Sequence, residues 1–277
     1  MAGNNLTHRT PSVARSGWQR LIDVATPLFK RDIFARYRGS GMGLAWTFLV
    51  PLLMLGVYTF IFGRVFPARW SEGVEPKGLL DFALILFIGL ITHSFATEVL
   101  TRAPTIILGQ VNLVKRVVFP LQILPVMCVV TALFQYTVSL LVFLAFQLVA
   151  TGTVSLGILW LPVIIAPFTL LLVGGAWLLA GANVYLRDIA QLMGVTSTVL
   201  LFMSPVFYPV SRLPERLWPV FMLNPLTFII EQSRRVVFTA ALPDFAGLAL
   251  YSIIAIAVAF AGFAAFQGMR RSFADVL

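Results

Sequence analysis

The sequence predicts an all-α integral membrane protein with six transmembrane helices, and three observations lead to this prediction. Hydrophobic residues make up 59% of the 277-residue chain and charged residues only 11%, whereas soluble proteins average about 45–50% and about 25%. The mean hydropathy is +0.93. Apolar runs of about 20 residues, the length that crosses a bilayer, recur along the chain. A bilayer accommodates this much apolar surface, whereas a soluble fold of this length would not.

Six apolar runs are long enough to be spans. We predict them at residues 44–63, 80–100, 118–149, 158–182, 189–208 and 248–267. The third is expected to begin after Pro125. Only Arg187, Asp188 and their neighbours separate the fourth from the fifth, so these two form a hairpin. The fifth ends in two prolines, Pro205 and Pro209, which should bend the chain because proline breaks the helical hydrogen-bond ladder.

The basic residues predict that both termini are cytoplasmic. With the first residue inside, thirteen of the 20 lysine and arginine residues fall in cytoplasmic segments, while Arg234 is counted among those outside. This asymmetry follows the positive-inside rule. Residues 1–43 lack the apolar stretch of a cleavable signal peptide, so the first span is expected to stay. The net charge of +9 is spread over short segments between apolar runs, so no nucleic-acid partner is expected.

Two regions are not expected to span. Residues 1–43 are predicted to be a cytoplasmic tail ending in an amphipathic interface helix, because Ile22, Phe29, Ile33 and Tyr37 share one helical face. A solvated basic tail is the alternative. Residues 44–268 form a single transmembrane domain and residues 269–277 a second cytoplasmic tail. Within this domain, residues 210–246 are too polar to span but rich in aromatic residues. They are expected to form short re-entrant or gate helices between the fifth and sixth spans.

The chain offers little for bond chemistry. With Asp81, at the edge of the second span, counted outside, His93 and Glu98 are the histidine and acidic residues within the spans, and such residues are functional candidates by default. Glu98, however, lies one helical turn from Arg102 and can pair with it. His93 is either a hydrogen-bonded helix contact or part of a polar path. Neither a zinc motif nor a phosphate-binding GxxxxGK[ST] loop occurs. We therefore predict a transport protein without catalytic residues, metal or cofactor of its own, driven by a partner.

Three sequence blocks resemble the permeases of type-2 ABC exporters, whose first signature reads roughly RYRxSxLGxxW…P. The blocks are Arg36–Trp46 followed by Pro51-Leu52, then Ser204–Pro209, and finally Asn224-Pro225-Leu226 with Glu231 and Arg234. Met42 stands where the family usually has leucine, a change that keeps the apolar bulk. The chain is most similar to the subgroup that exports polysaccharide or teichoic acid, of the O-antigen type.

The resemblance implies a complex of two copies of this chain, a homodimer, with two copies of a separate ATP-binding subunit. ATP and Mg²⁺ would bind in that subunit, and the complex would lie in the bacterial cytoplasmic (inner) membrane. The substrate would be a polysaccharide on undecaprenyl diphosphate. The loop 101–119 would be the coupling loop, with the ATPase contacted by Asn112, Leu113, Lys115 and Arg116. A basic patch that only anchors this loop at lipid headgroups is the alternative.

The resemblance also assigns two sets of site residues. The entrance for the lipid diphosphate would comprise Arg36, Tyr37, Arg38, Ser40, Gly43 and Trp46. The channel and the outer gate, within 204–246 and the neighbouring spans, would comprise Tyr58, Phe62, His93, Pro205, Phe207, Tyr208, Asn224, Pro225, Glu231 and Arg234. Cations suit a diphosphate, and aromatic faces suit sugar rings. For each single aromatic residue, a place in the membrane-interface belt is the alternative.

Other functions stay open at this point. The same architecture could export capsule or teichoic acid polymer, or a small hydrophobic drug. A membrane enzyme acting on polyprenyl-linked glycans is a third reading. It would need acidic residues near the headgroups, and the inner side offers only Asp23, Asp32, Asp188, Asp275 and Glu98.

Overall fold

The computed structural model describes residues 26–34, 41–61, 79–111 and 119–276, and these ranges are built of α-helices joined by turns and short 3₁₀ helices. The first helix, α1, covers residues 26–34. The others are α2 (Trp46–Phe60), α3 (Leu79–Arg102), α4 (Ile123–Thr151), α5 (Leu161–Tyr185), α6 (Ile189–Met203), α7 (Trp218–Met222), α8 (Pro225–Thr239), α9 (Phe245–Arg270) and α10 (Phe273–Val276).

Within the described ranges, four helices are long and apolar enough to cross a membrane: α3, α4, α5 with the 3₁₀ helix before it, and α9. They confirm the second, third, fourth and sixth predicted runs as long apolar helices. The start of α4 at Ile123 corrects the expectation that the helix begins after Pro125. Pro125 lies in the first turn, where backbone N–H groups have no intrahelical partner, so proline costs nothing there.

The first and fifth predicted runs form shorter helices. α2 and α6 have 15 residues each, or about 22 Å of helix against about 30 Å of hydrocarbon. α6 ends at Met203 because Ser204 has an extended backbone and the following proline cannot continue the ladder. This confirms the bend predicted from the two prolines.

α3 is the central helix of the bundle. It packs against α2, α4, α5, α6 and α8, and 78% of its apolar window is buried. The run from Phe82 to Ile88 is buried residue by residue. A helix that is apolar on every side is one that neighbours surround, which is the place that α3 occupies.

α5 and α9 cross at very close range. A Cβ atom on Gly262 of α9 would lie 2.1 Å from the carbonyl oxygen of Gly174 on α5. Only residues without a side chain allow two helix backbones to approach so far, which is the common solution for helix contacts in membranes.

α1 lies against the end of α3 and an interior residue of α4. The Asp32 carboxylate accepts hydrogen bonds from Nη2 of Arg102 at 2.8 and 2.9 Å, and the Phe29 ring meets Phe134 edge to face. Glu98 accepts from Nη1 of Arg102 at 3.2 Å, which confirms the predicted pair on α3.

Candidate functional site

Arg234 ties the bend after α6 to two other helices. Its side chain, on α8, is buried. Its Nε donates to the carbonyl oxygen of Ile85 on α3 at 3.0 Å. Its Nη2 donates to the carbonyl of Val206 at 2.7 Å, and its Nη1 to that of Pro205. The planar guanidinium presents five N–H donors in a fixed fork, so it can serve three carbonyls at once.

Gly89 makes room for this guanidinium. A Cβ atom at residue 89 of α3 would lie 2.7 Å from Nη2 of Arg234 and 3.4 Å from the Cα of Val206. Glycine is therefore required at residue 89 because a side chain there would collide with Arg234. No sequence pattern identified this requirement.

Asn224 connects the end of α6 to the start of α8. Its Oδ1 accepts from the backbone N–H of Leu226 at 2.9 Å, which caps α8. Its Nδ2 donates to the carbonyl of Met203 at 3.1 Å and to Oγ of Ser204 at 2.9 Å. One buried amide thus satisfies groups at two helix ends.

The aromatic residues of the second block contact two other helices. The Tyr208 hydroxyl donates to the carbonyl of Phe202, and its ring centroid lies 6.2 Å from that of Phe221 on α7. The ring centroid of Phe207 lies 6.4 Å from that of Tyr58 on α2. The structure therefore brings together Tyr58, Phe207 and Tyr208 from the predicted gate residues.

Pro225 and Glu231 complete the predicted residues on α8. Pro225 is the first residue of this helix, where its fixed φ favours the helix, and its carbonyl accepts from the Tyr251 hydroxyl at 3.1 Å. Pro205, which Arg234 contacts, is buried, whereas Glu231 is half-buried.

His93 fastens the middle of α6 to α3. The ring is buried, and its Nε2 lies 3.1 Å from the Ser197 carbonyl and 3.3 Å from Oγ1 of Thr97. Of the two readings that the sequence left open, the structure places this side chain in a hydrogen-bonded helix contact.

Asn183 fastens the other end of α6. Its Oδ1 accepts from the backbone N–H of Ala190 at 3.1 Å. Asn183 holds the start of α6, His93 holds its middle, and Asn224 and Arg234 hold its end and the bend after it. Polar side chains therefore hold α6 at three points along its length. Sequence reasoning missed Asn183, although an asparagine directly after a long apolar run is itself a signal, since buried polar groups need partners.

The predicted entrance is described only in part. Gly43 has φ of +52°, a left-handed conformation that glycine adopts without strain, and Trp46 begins α2 just after it. The remaining predicted residues lie outside the described ranges: Arg36, Tyr37, Arg38, Ser40, Phe62, Asn112, Leu113, Lys115 and Arg116. Within those ranges, no three His, Cys, Asp or Glu side chains converge as a metal site requires.

A bundle of long apolar helices, with polar side chains holding α6 and the bend that follows it, defines a multi-pass membrane protein. The chain belongs to the ABC-2 type transporter family, whose family model matches residues 26–238.

Its relatives are similar over nearly their whole length. The O-antigen export system permease protein RfbA of Myxococcus xanthus is 28% identical over 253 residues, covering 90% of this chain and 93% of the relative. The protein of that name from Klebsiella pneumoniae is 23% identical, covering 93% and 96%. The polysialic acid transport protein KpsM of Escherichia coli is 22% identical, covering 92% and 96%.

Proposed function

We propose that this chain is the permease subunit of an ATP-driven ABC exporter that moves a lipid-linked polysaccharide of O-antigen type across the bacterial cytoplasmic membrane. The observation that carries the proposal is the similarity to O-antigen export permeases over nine-tenths of the chain. The chain's own groups agree with it. Charged side chains inside the described bundle, such as Arg234, hold helices together and leave no cluster to drive transport.

The proposed subunit has six spans with both termini cytoplasmic. α2 and α6 supply the first and fifth spans, and the residues that flank each short helix complete the crossing. α7 and α8 then lie at the outer end and form the gate. Arg234 supports this arrangement. The arginine donates to the carbonyl of Ile85, which is six residues along α3 from its first residue, Leu79, or about 9 Å. α8 therefore extends into the bundle from the end at which α3 begins.

The proposed exporter is a homodimer. α2 buries only Thr47, Pro51 and Leu55, and α6 buries only Ser197. α6 also exposes Gln191, which is unfavourable toward lipid because hydrocarbon offers polar groups no partner. A second copy facing these two helices would cover them and enclose a path lined by both apolar and polar groups.

Energy for transport would come from two ATP-binding subunits docked at the loop 101–119. The predicted contacts there are Asn112, Leu113, Lys115 and Arg116. The entrance at residues 36–46 would bind the lipid diphosphate through Arg36 and Arg38, since cations form short, charge-assisted hydrogen bonds with phosphate.

A capsule polymer is the second candidate substrate. The observation that favours it is the similarity to two Escherichia coli proteins named for polysialic acid transport. The O-antigen reading ranks first because the match to the Myxococcus xanthus permease has the higher identity.

Co-purification tests the proposal. The tagged chain would be expressed with the ATP-binding subunit encoded next to it, extracted in mild detergent and assayed for ATP hydrolysis. A 2:2 complex whose hydrolysis is stimulated by lipid-linked glycan supports the proposal. A chain that purifies alone, or that transports the glycan without the second subunit, contradicts it.

A further inference from the structure

A second apolar cluster lies apart from the main core, at the end of the bundle where residues 111 and 119 lie. We call it the base cluster, and its buried members are Ile107, Leu121, Leu124, Ala180, Val184, Phe266 and Phe273. Phe273, on α10, is 1% exposed. Its ring lies 5.7 Å from that of Phe266 and 6.2 Å from that of Tyr185.

The base cluster holds the segment that leads into the predicted coupling loop. Ile107, four residues before residue 111, is fully buried in the cluster. Three residues earlier, the carbonyl of Pro104 accepts a hydrogen bond from Nδ2 of Asn183 at 3.0 Å. The upstream root of the loop, residues 103–111, is therefore fixed to the end of α5 by one apolar and one polar contact.

The cluster also holds the segment that leaves the loop. Leu121 is buried in it, and the adjacent Gln122 has two partners from other helices. Nη1 of Arg270 donates to the Gln122 side-chain oxygen at 3.0 Å. Nε1 of Trp177 donates to the Gln122 backbone carbonyl at 2.9 Å. The downstream root, residues 119–122, is thus fixed to the ends of α5 and α9.

We propose that the end of α9 together with α10 is a buttress that holds both roots of the coupling loop, and that Arg270 and Phe273 are positioning residues for energy transmission. The proposal rests on the proposed docking of an ATPase at residues 101–119. It gives a transport role to the C-terminal residues, which the sequence indicated only as a cytoplasmic tail.

The physical argument concerns stiffness. Close-packed side chains have low compressibility and pass displacement on to their neighbours. A displacement of the loop by the ATPase reaches α5 and α9 only if the two roots of the loop are fixed to these helices. Phe273 is buried in the same cluster as Ile107 and Leu121, and Arg270 holds Gln122. Without these contacts the loop would absorb the displacement and the ATPase would cycle without moving α5 and α9.

Two pairs of variants test the proposal in the complete complex. Arg270→Ala removes the bond to Gln122, and Arg271→Ala removes the same charge from the exposed neighbour. Phe273→Ala removes the buried ring, and Phe260→Ala removes a ring of α9 that is 76% exposed. Phe273→Leu keeps an apolar side chain in the cluster. The readout is glycan exported per ATP hydrolysed in vesicles, with the amount of assembled complex measured alongside.

The ratio should fall at least about five-fold, the lower end of usual coupling factors, for Arg270→Ala and Phe273→Ala. Hydrolysis should persist, and Arg271→Ala, Phe260→Ala and Phe273→Leu should stay near wild type. If Phe273→Ala fails to assemble, Arg270→Ala still decides. An unchanged ratio in Arg270→Ala overturns the buttress.

A second measurement separates this proposal from the proposed function. Amide hydrogen exchange at Ile123 and Leu124, whose N–H groups donate to the carbonyls of Pro120 and Leu121, should quicken in the permease alone in Arg270→Ala and not in Arg271→Ala. If wild type shows no ATP-coupled export while exchange responds as expected, the exporter assignment fails and the positioning of the loop roots stands. If export is coupled and exchange does not respond, the buttress alone fails.

Discussion

Nη2 of Arg234 lies only 2.7 Å from the position that a Cβ atom would take at residue 89. Any side chain there other than that of glycine would collide with the guanidinium. The glycine on α3 and the arginine on α8 are therefore matched in size. Because the same guanidinium holds Pro205 and Val206, the space at residue 89 of α3 lets the bend after α6 be fixed against α3.

Gly89→Ala should loosen this bend. The added methyl group must displace a guanidinium that three carbonyls hold, so the chain should lose about 1–3 kcal/mol of stability, the usual cost of overpacking. Gly175→Ala is the control, since a Cβ there meets nothing within 4 Å. The measurement is thermal unfolding of the detergent-solubilised chain. Equal midpoints for the two variants would show that Arg234 is not confined.

Asn224→Ser should separate the two functions of this side chain. Serine is a good helix cap, so α8 should keep its first turn. The donors to Met203 and Ser204 are lost. Hydrogen exchange should therefore quicken at residues 203–206 and stay slow at residues 227–229. Asn224→Ala should quicken both segments, and a serine variant that behaves like the alanine variant would contradict the separation.

The Asp32–Arg102 pair should hold α1 with modest strength. Both side chains are about a third exposed, so water and salt screen the pair, and its coupling energy should be about 0.5–1 kcal/mol. A double-mutant cycle with Asp32→Asn and Arg102→Gln, read from the proteolysis rate of residues 26–34, would measure it. The coupling should shrink at high salt. A value independent of salt would show that the bond is not chiefly ionic.

Charge reversal at Lys115 and Arg116 should uncouple the two subunits. If the loop docks on an ATPase, Lys115→Glu with Arg116→Glu should leave membrane insertion intact and reduce export per ATP. Lys30→Glu with Arg187→Glu, two exposed basic residues outside the loop, tests whether any loss of basic charge near the headgroups suffices. Unchanged export in the loop variant would favour the alternative that these residues only anchor the loop to lipid.

Features that depend on chain composition could be predicted from the sequence. The apolar runs predicted the long helices, and two prolines predicted the bend after Met203. Each is a local signal: apolar length or a missing N–H.

Features that depend on neighbours could not be predicted. Charge counting placed Arg234 among the outer-loop cations, yet it is buried on the carbonyls of Ile85, Pro205 and Val206. These partners lie at least 28 residues from Arg234 in the sequence. They are main-chain carbonyls, which every residue carries, so no residue type marks them. Gly89 escaped notice for a related reason, because a glycine required for space looks like any other glycine in an apolar run.

ATP-dependent transport in proteoliposomes tests the central claim most directly. The purified chain, alone or with its ATP-binding subunit, would be reconstituted with lipid-linked glycan, and glycan crossing the membrane would be followed after ATP addition. We predict transport only when both subunits and hydrolysable ATP are present. Transport by the chain alone, or transport unaffected by a hydrolysis-deficient ATPase, would contradict the account.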